Sequence, residues 1–145
     1  MFSFKIYTSY FAMLKWLDKD LYYPLSIANI SPDWFPYGGL PYLMPNMKYF
    51  LMHKHKQMSF EEFSKKFKIQ LLNTEKDYIV KMLNNAMSNH PNKSLVMMCY
   101  EADYEDCHRS IVSKYMKYTF NLDITELKVH TNKGKNDKQL NIEFE

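Results

Sequence analysis

Eleven consecutive residues, Cys99-Tyr-Glu-Ala-Asp-Tyr-Glu-Asp-Cys107-His108-Arg109, gather two thiols, four carboxylates, an imidazole and a guanidinium. A thiol becomes a nucleophile as its thiolate, which a helix start and neighbouring positive charge favour. Cys107, followed directly by His108 and Arg109, has that setting. Asp103, Glu105 and Asp106 just upstream oppose it, because their charge disfavours a thiolate and itself satisfies a helix start. Cys107 is therefore either a nucleophile or a small residue shaping the helix entry. Glu101 and His108 are the candidate general acid and base. The planar fork of Arg109 suits a phosphate or carboxylate, the competing expectation being a surface ion pair with Asp103 or Glu105. Cys99 closes an apolar run and is expected to pack there, at the rim of the ligand site.

Spacing excludes one chemistry and weakens the case for a second. A phosphatase-like loop needs a cysteine and an arginine at the two ends of one short anion-cradling turn, and neither Cys99 nor Cys107 stands so relative to Arg109. Zinc needs three or four convergent ligands, and no paired C-x-x-C spacing supplies them. Cys99, Cys107 and His108, with His53 or His55, would be the only set. The lysines around His53 and His55 mark that segment as a solvated basic surface, so neither a metal nor a cofactor is expected.

The elements that must position these groups follow from periodicity. Leu95 to Met98 form an apolar strand, and Ile111, Val112, Tyr115 and Met116 recur at helical spacing in a helix from about Asp106 to Phe120. The reactive segment is thus a strand-to-helix turn at a strand's carboxyl end, the usual ligand crevice of open α/β sheets. Earlier strands are expected over Lys5 to Phe11 and Tyr23 to Ala28, with Ala12 to Leu17 a short helix or turn between them. Thr8, Ser9, Asn29 and Ser31 would then lie on the same edge if the strands are parallel. From Asn29 to Pro45, four prolines alternate with Trp34, Phe35, Tyr37 and Tyr42, a long aromatic loop that reads as one wall of a pocket or as a cover for the sheet edge. Ser59 and Glu62 form a capping box for one helix, and Thr74 with Asp77 resembles the start of a second. A strand over Ile124 to Val129 and the alternation of Leu140, Ile142 and Phe144 complete the pattern, with an edge hairpin at the end. The expected architecture is a single α/β domain over residues 1–145, a mostly parallel sheet flanked by helices.

Composition bounds the rest. The 145 residues suffice for one core, and no apolar run approaches the ~20 residues of a membrane span. The amino terminus lacks secretory-signal character, so a cytoplasmic location is expected, where both cysteines would be thiols. A net charge of +3 permits anionic partners without establishing nucleic-acid binding. Three glycines cannot build a dinucleotide or Walker phosphate loop.

Tyr7-Thr-Ser-Tyr-Phe, Ser26-Ile-Ala28, Trp34-Phe, and the Cys99-Tyr-Glu and Cys107-His-Arg block together resemble the domain of unknown function 488, the YeaO-like family, from about Lys5 to Val129. The resemblance implies a compact α/β fold with the C-H-R segment at a helix start, and family motif positions at Ser9, Ser26, Cys99, Glu101, Cys107, His108 and Arg109. It implies no particular activity. The linker Ala102 to Asp106 is more acidic than the family pattern, which speaks against an activated thiol. The Lys, Asn, Tyr and Met content resembles that of a low-GC genome or a bacteriophage.

Three function classes remain. The first is a protein that binds, and as an enzyme hydrolyses, a nucleotide-like or nucleic-acid anion at the Cys99 to Arg109 turn. In it Ser9, Asn29, Trp34, Cys99 and Arg109 would hold the ligand, while Glu101, Cys107 and His108 would handle the chemistry. The second is a non-catalytic nucleic-acid binder using Lys54, Lys56, Lys65, Lys66 and Lys68. The third is a protein-binding inhibitor of phage type, anchored by the aromatic loop. The first is the primary expectation; oligomeric state is not legible.

Overall fold

The computed structural model describes residues 1–100, 107–131 and 140–144, and these hold five strands and four α-helices, of which all but the first helix follow the apolar periodicity of the sequence. Strand β1 (Ile6–Tyr10) leads through a 3-10 turn (Phe11–Trp16) to β2 (Tyr22–Ser26). Three helices follow, α1 (Met47–Lys54), α2 (Phe60–Asn73) and α3 (Lys76–Met87). Then come β3 (Ser94–Cys99), α4 (His108–Phe120), β4 (Thr125–Thr131) and β5 (Leu140–Phe144). The sheet order is β2-β3-β1-β4-β5. The first four strands are parallel, and β5 runs antiparallel to β4 as the edge hairpin that the alternation anticipates. Residues 132–139 between them lie outside the described residues.

Register brings the parallel strands to a common carboxyl edge: Tyr10 pairs with Cys99, and Ser26 with Met98. Because side chains alternate across a strand, Thr8 and Tyr10 share one face with their partners Glu126 and Cys99. The core runs through β3, where Leu95 to Cys99 are all fully buried, a continuous apolar run of the kind a parallel sheet covered on both faces demands. Phe63, Phe67 and Leu71 of α2, Ile79 and Leu83 of α3, and Val112 and Met116 of α4 pack into it.

The helix starts divide. Ser59 caps α2 as its capping box predicts, its hydroxyl accepting from the Glu62 N–H at 3.1 Å. Thr74 does not cap α3. Its hydroxyl turns back to donate to the Gln70 carbonyl at 3.0 Å, closing α2, and Glu75 occupies the α3 cap position without a side-chain bond. Helix α1 escapes the periodicity because it fully buries no residue, and Tyr49, Phe50 and Met52 pack only partly against the core. Its His53 lies on the Phe63 ring at 5.2 Å, with Nδ1 3.1 Å from the Met58 carbonyl, packing that accounts for this histidine without a metal.

The aromatic loop after β2 is pinned to the sheet. Ser26 N–H donates to Gly38 and Leu40 N–H to Ser26, and any Cβ on Gly39 would press on Met44 and the Ser26 carbonyl. Phe35, Leu40 and Leu43 are buried while Trp34 stays exposed, so the loop both covers the sheet edge and presents a ring. Among the described residues no helix is long and apolar enough to cross a membrane.

Candidate functional site

Helix α4 delivers its first residues against the sheet's carboxyl edge, and they are buried there: Cys107, His108, Arg109 and Ser110 are each at most 6% exposed. Its cap residue, Cys107, makes no side-chain cap bond, and no acidic residue stands in its first turn. The positive end of the helix dipole is therefore not neutralised from within the helix.

Arg109 is fully buried, and Glu126 meets it from β4. Arg109 Nε donates to both Glu126 carboxylate oxygens at 3.0 Å, and Nη2 donates to Oε2 at 2.7 Å. Thr8 completes the group, its hydroxyl donating to Glu126 Oε1 at 2.6 Å. A third guanidinium nitrogen, Nη1, lies 3.3 Å from Cys99 Sγ, and the guanidinium carbon stands 5.7 Å from the Tyr10 ring centre. Arg109 is buried rather than at the surface and has a partner, Glu126, that sequence reasoning missed, while Asp103 and Glu105 lie outside the described residues. The available signal was a glutamate within a strand of a sheet covered on both faces, since a buried carboxylate there must be paired.

Cys99 and Cys107, expected as separate thiols, have their sulfurs in bonding contact as a disulfide. Cys99 ends β3 and Cys107 opens α4, so the two elements bring these side chains to one interior point. His108 is held beside them, its Nε2 donating to the Ile27 carbonyl oxygen at 2.7 Å. Burial pushes this imidazole down to about 4, with the Arg109 charge adding to the effect and the Ile27 hydrogen bond opposing it. At neutral pH His108 is therefore the free base. One ligand atom from each of Cys99, Cys107 and His108 lies within 4.8 Å of the others.

The remaining candidates are not all drawn into this cluster. Ser9 is buried on the opposite face of β1 from Thr8 and donates to the Leu127 carbonyl at 2.9 Å. Asn29 ties down the aromatic loop, its amide donating to the Pro45 carbonyl at 2.6 Å. Glu101 lies outside the described residues.

Trp34 is 59% exposed and forms part of a separate hollow of about 670 Å³, lined by Phe11, Ala12, Leu14, Lys15, Lys19 and Trp34. That volume suits a small ligand. Phe11 follows β1 directly, so the hollow sits on the same carboxyl edge as the cluster. The Phe11 ring bridges the two, with centres 6.5 Å from Trp34 and 4.9 Å from Tyr100, the neighbour of Cys99. Sequence reasoning placed Trp34 on a pocket wall but not Lys15 and Lys19, which carry no motif.

A family model described as the active DUF488-N3 subclade matches residues 19–119. That range takes in Trp34 and the whole Cys99 to Arg109 segment, and stops short of Ser9 and Glu126. No curated protein and no solved structure matches the chain. With more than half its length matched, including the strand-to-helix turn that assembles the buried cluster, the chain belongs to the DUF488 family, in its active DUF488-N3 subclade.

Proposed function

We propose that this protein binds a nucleotide-like or nucleic-acid anion at the carboxyl edge of its sheet and acts on it with the Cys99, Cys107, His108 and Arg109 cluster. The observation that carries the reading is the adjacency of the two sites through Phe11 and Tyr100. On one side is an open hollow lined by an exposed indole and by Lys15 and Lys19, the Lys15 ammonium lying over the Trp16 ring at 5.2 Å, side chains that suit the face of a base and a phosphate. On the other is a buried polar cluster that stability alone does not explain. Replacing a buried ion pair by packed apolar groups is often neutral or favourable, so a core that keeps Arg109, Glu126 and Thr8 together points to use. The imidazole displaced far from its ordinary range points the same way.

Within this reading Trp34 stacks on the ligand, while Lys15 and Lys19 meet its phosphate. Arg109 acts through Cys99, holding charge at the sulfur rather than touching the anion, and His108, as a free base, accepts a proton from an attacking water if the bond broken is hydrolytic. The word active in the family description supports a catalytic form of the reading for this chain. Its setting is the cytoplasm, where thiols are maintained.

Thermal denaturation with a panel of nucleotides and short single-stranded oligonucleotides tests it, because a ligand of the native state raises the melting temperature. A rise with at least one nucleotide class is expected, lost in Trp34→Ala and reduced in Lys15→Ala/Lys19→Ala. Absence of any rise across the panel would overturn the reading.

A further inference from the structure

We propose that Cys99, Cys107 and His108 form a binding site for one thiophilic divalent cation, zinc above all, which opens when the two sulfurs are reduced and closes when they are joined. It goes beyond the ligand reading and rests on different residues from the hollow.

The donor set comes first. Two sulfurs and an imidazole are the ligands that zinc and related soft or borderline ions select, and here they are buried and within 4.8 Å of one another. The hydrogen bond of His108 is one that a metal ligand makes. A carbonyl oxygen only accepts, so the 2.7 Å contact to Ile27 requires the proton on Nε2 and leaves the Nδ1 lone pair, a proton acceptor in the metal-free protein, for a cation when one is bound. Metal-bound histidines are typically fixed in this way, by donating the other N–H to a carbonyl or carboxylate.

Charge balance supports the same occupant. Among the described residues, two thiolates and Glu126 carry three negative charges, and Arg109 with a dication carries three positive ones, so these groups balance inside a core where net charge is costly. Arg109 Nη1, 3.3 Å from Cys99 Sγ, would donate to the sulfur from outside the coordination sphere. The backbone tolerates separated sulfurs, since the Cα atoms are 7.3 Å apart whereas disulfides usually span ~4.4–6.8 Å. Three protein ligands leave a fourth position for water or a substrate atom, the pattern of catalytic rather than structural zinc.

Opening the site balances as a two-electron exchange. A cellular dithiol supplies two electrons and two protons and becomes a disulfide itself; the Cys99–Cys107 bond breaks to give two thiols. The cation then displaces both thiol protons to solvent and takes up two thiolates and the neutral imidazole.

The test uses the full chain, reduced with a trialkylphosphine, freed of reductant under argon and titrated with cobalt(II) as a spectroscopic stand-in. One cobalt per chain with a sulfur-to-cobalt charge-transfer band is expected, bleached by zinc. The band should be absent from the oxidised protein and lost in Cys107→Ser. Zinc should also block alkylation of both thiols in the wild type, a readout that needs no variant to fold. A reduced, folded wild type that gives no band, or whose thiols alkylate equally with zinc or a chelator, would overturn the proposal. Nucleotide-induced melting shifts of the chelator-treated protein report on the hollow alone, so the two ideas fail separately.

Discussion

Arg109 is the costliest side chain to bury in this fold, and its dependence on Glu126 makes a sharp prediction at the level of single residues. Removing one member strands the other's charge in a dry site, so Arg109→Ala should destabilise the protein by about 3–5 kcal/mol in urea unfolding. Arg109→Met combined with Glu126→Leu fills the same space without charge and should recover most of that loss. A double variant as unstable as the single one would mean that the pair itself holds the fold. His108 makes a pH prediction. Its folded value of about 4 lies below the ordinary 6.5, so on acidification the unfolded chain takes up a proton that the folded chain refuses. Stability from this residue is complete above about pH 6.5 and drains away as pH falls toward 4, a loss of about 3 kcal/mol at ~1.4 kcal/mol per pH step. In chelator-treated protein, unfolding midpoints of wild type minus His108→Gln should shrink over that window; a flat difference would contradict a buried neutral imidazole. Cys107, His108 and Arg109 were legible as a group because they are adjacent in sequence. Glu126 was not, because it reaches Arg109 from a strand beyond the helix, and the single-sequence pattern holds nothing that ties two such positions together.

Among the elements, the helix caps separate pattern from structure most clearly. Ser59 and Thr74 present similar spacing to a reader of the sequence, yet only Ser59 bonds forward to its helix. Ser59→Ala should therefore cost about 1 kcal/mol, and Thr74→Ala distinctly less, since its hydroxyl bonds back to a turn already closed by the backbone. Equal losses in chemical denaturation would return Thr74 to the role of a cap. The strands of the parallel sheet and helices α2, α3 and α4 were legible because burial forces apolar residues into a fixed period. Helix α1 buries none of its residues fully and left no such trace. The aromatic loop was readable as a wall, but its anchoring through Gly38, Leu40 and Asn29 depends on backbone pairing that residue types alone do not encode.

At the scale of the whole molecule, the order β2-β3-β1-β4-β5 decides which side chains meet. It puts β1 between β3 and β4, so that Tyr10 lies beside Cys99 and Thr8 beside Glu126, and α4 then closes over that face. Alternation of strands and helices predicts parallel pairing but not this order, which is why the turn could be located from sequence while the contents of the cluster could not. The same topology sets the aromatic hollow and the sulfur cluster side by side on one edge. A mild net charge of +3 leaves long-range attraction weak, so in the proposed reading affinity for an anion comes from the hollow itself, with Trp34 supplying stacking and Lys15 and Lys19 a modest salt dependence. Calorimetric titration of the responding nucleotide class into wild type and Trp34→Ala measures this most directly. The account predicts saturable binding to the wild type that weakens with salt and falls by about 1–3 kcal/mol when the indole is removed; no binding, or binding that Trp34→Ala leaves unchanged, would contradict it.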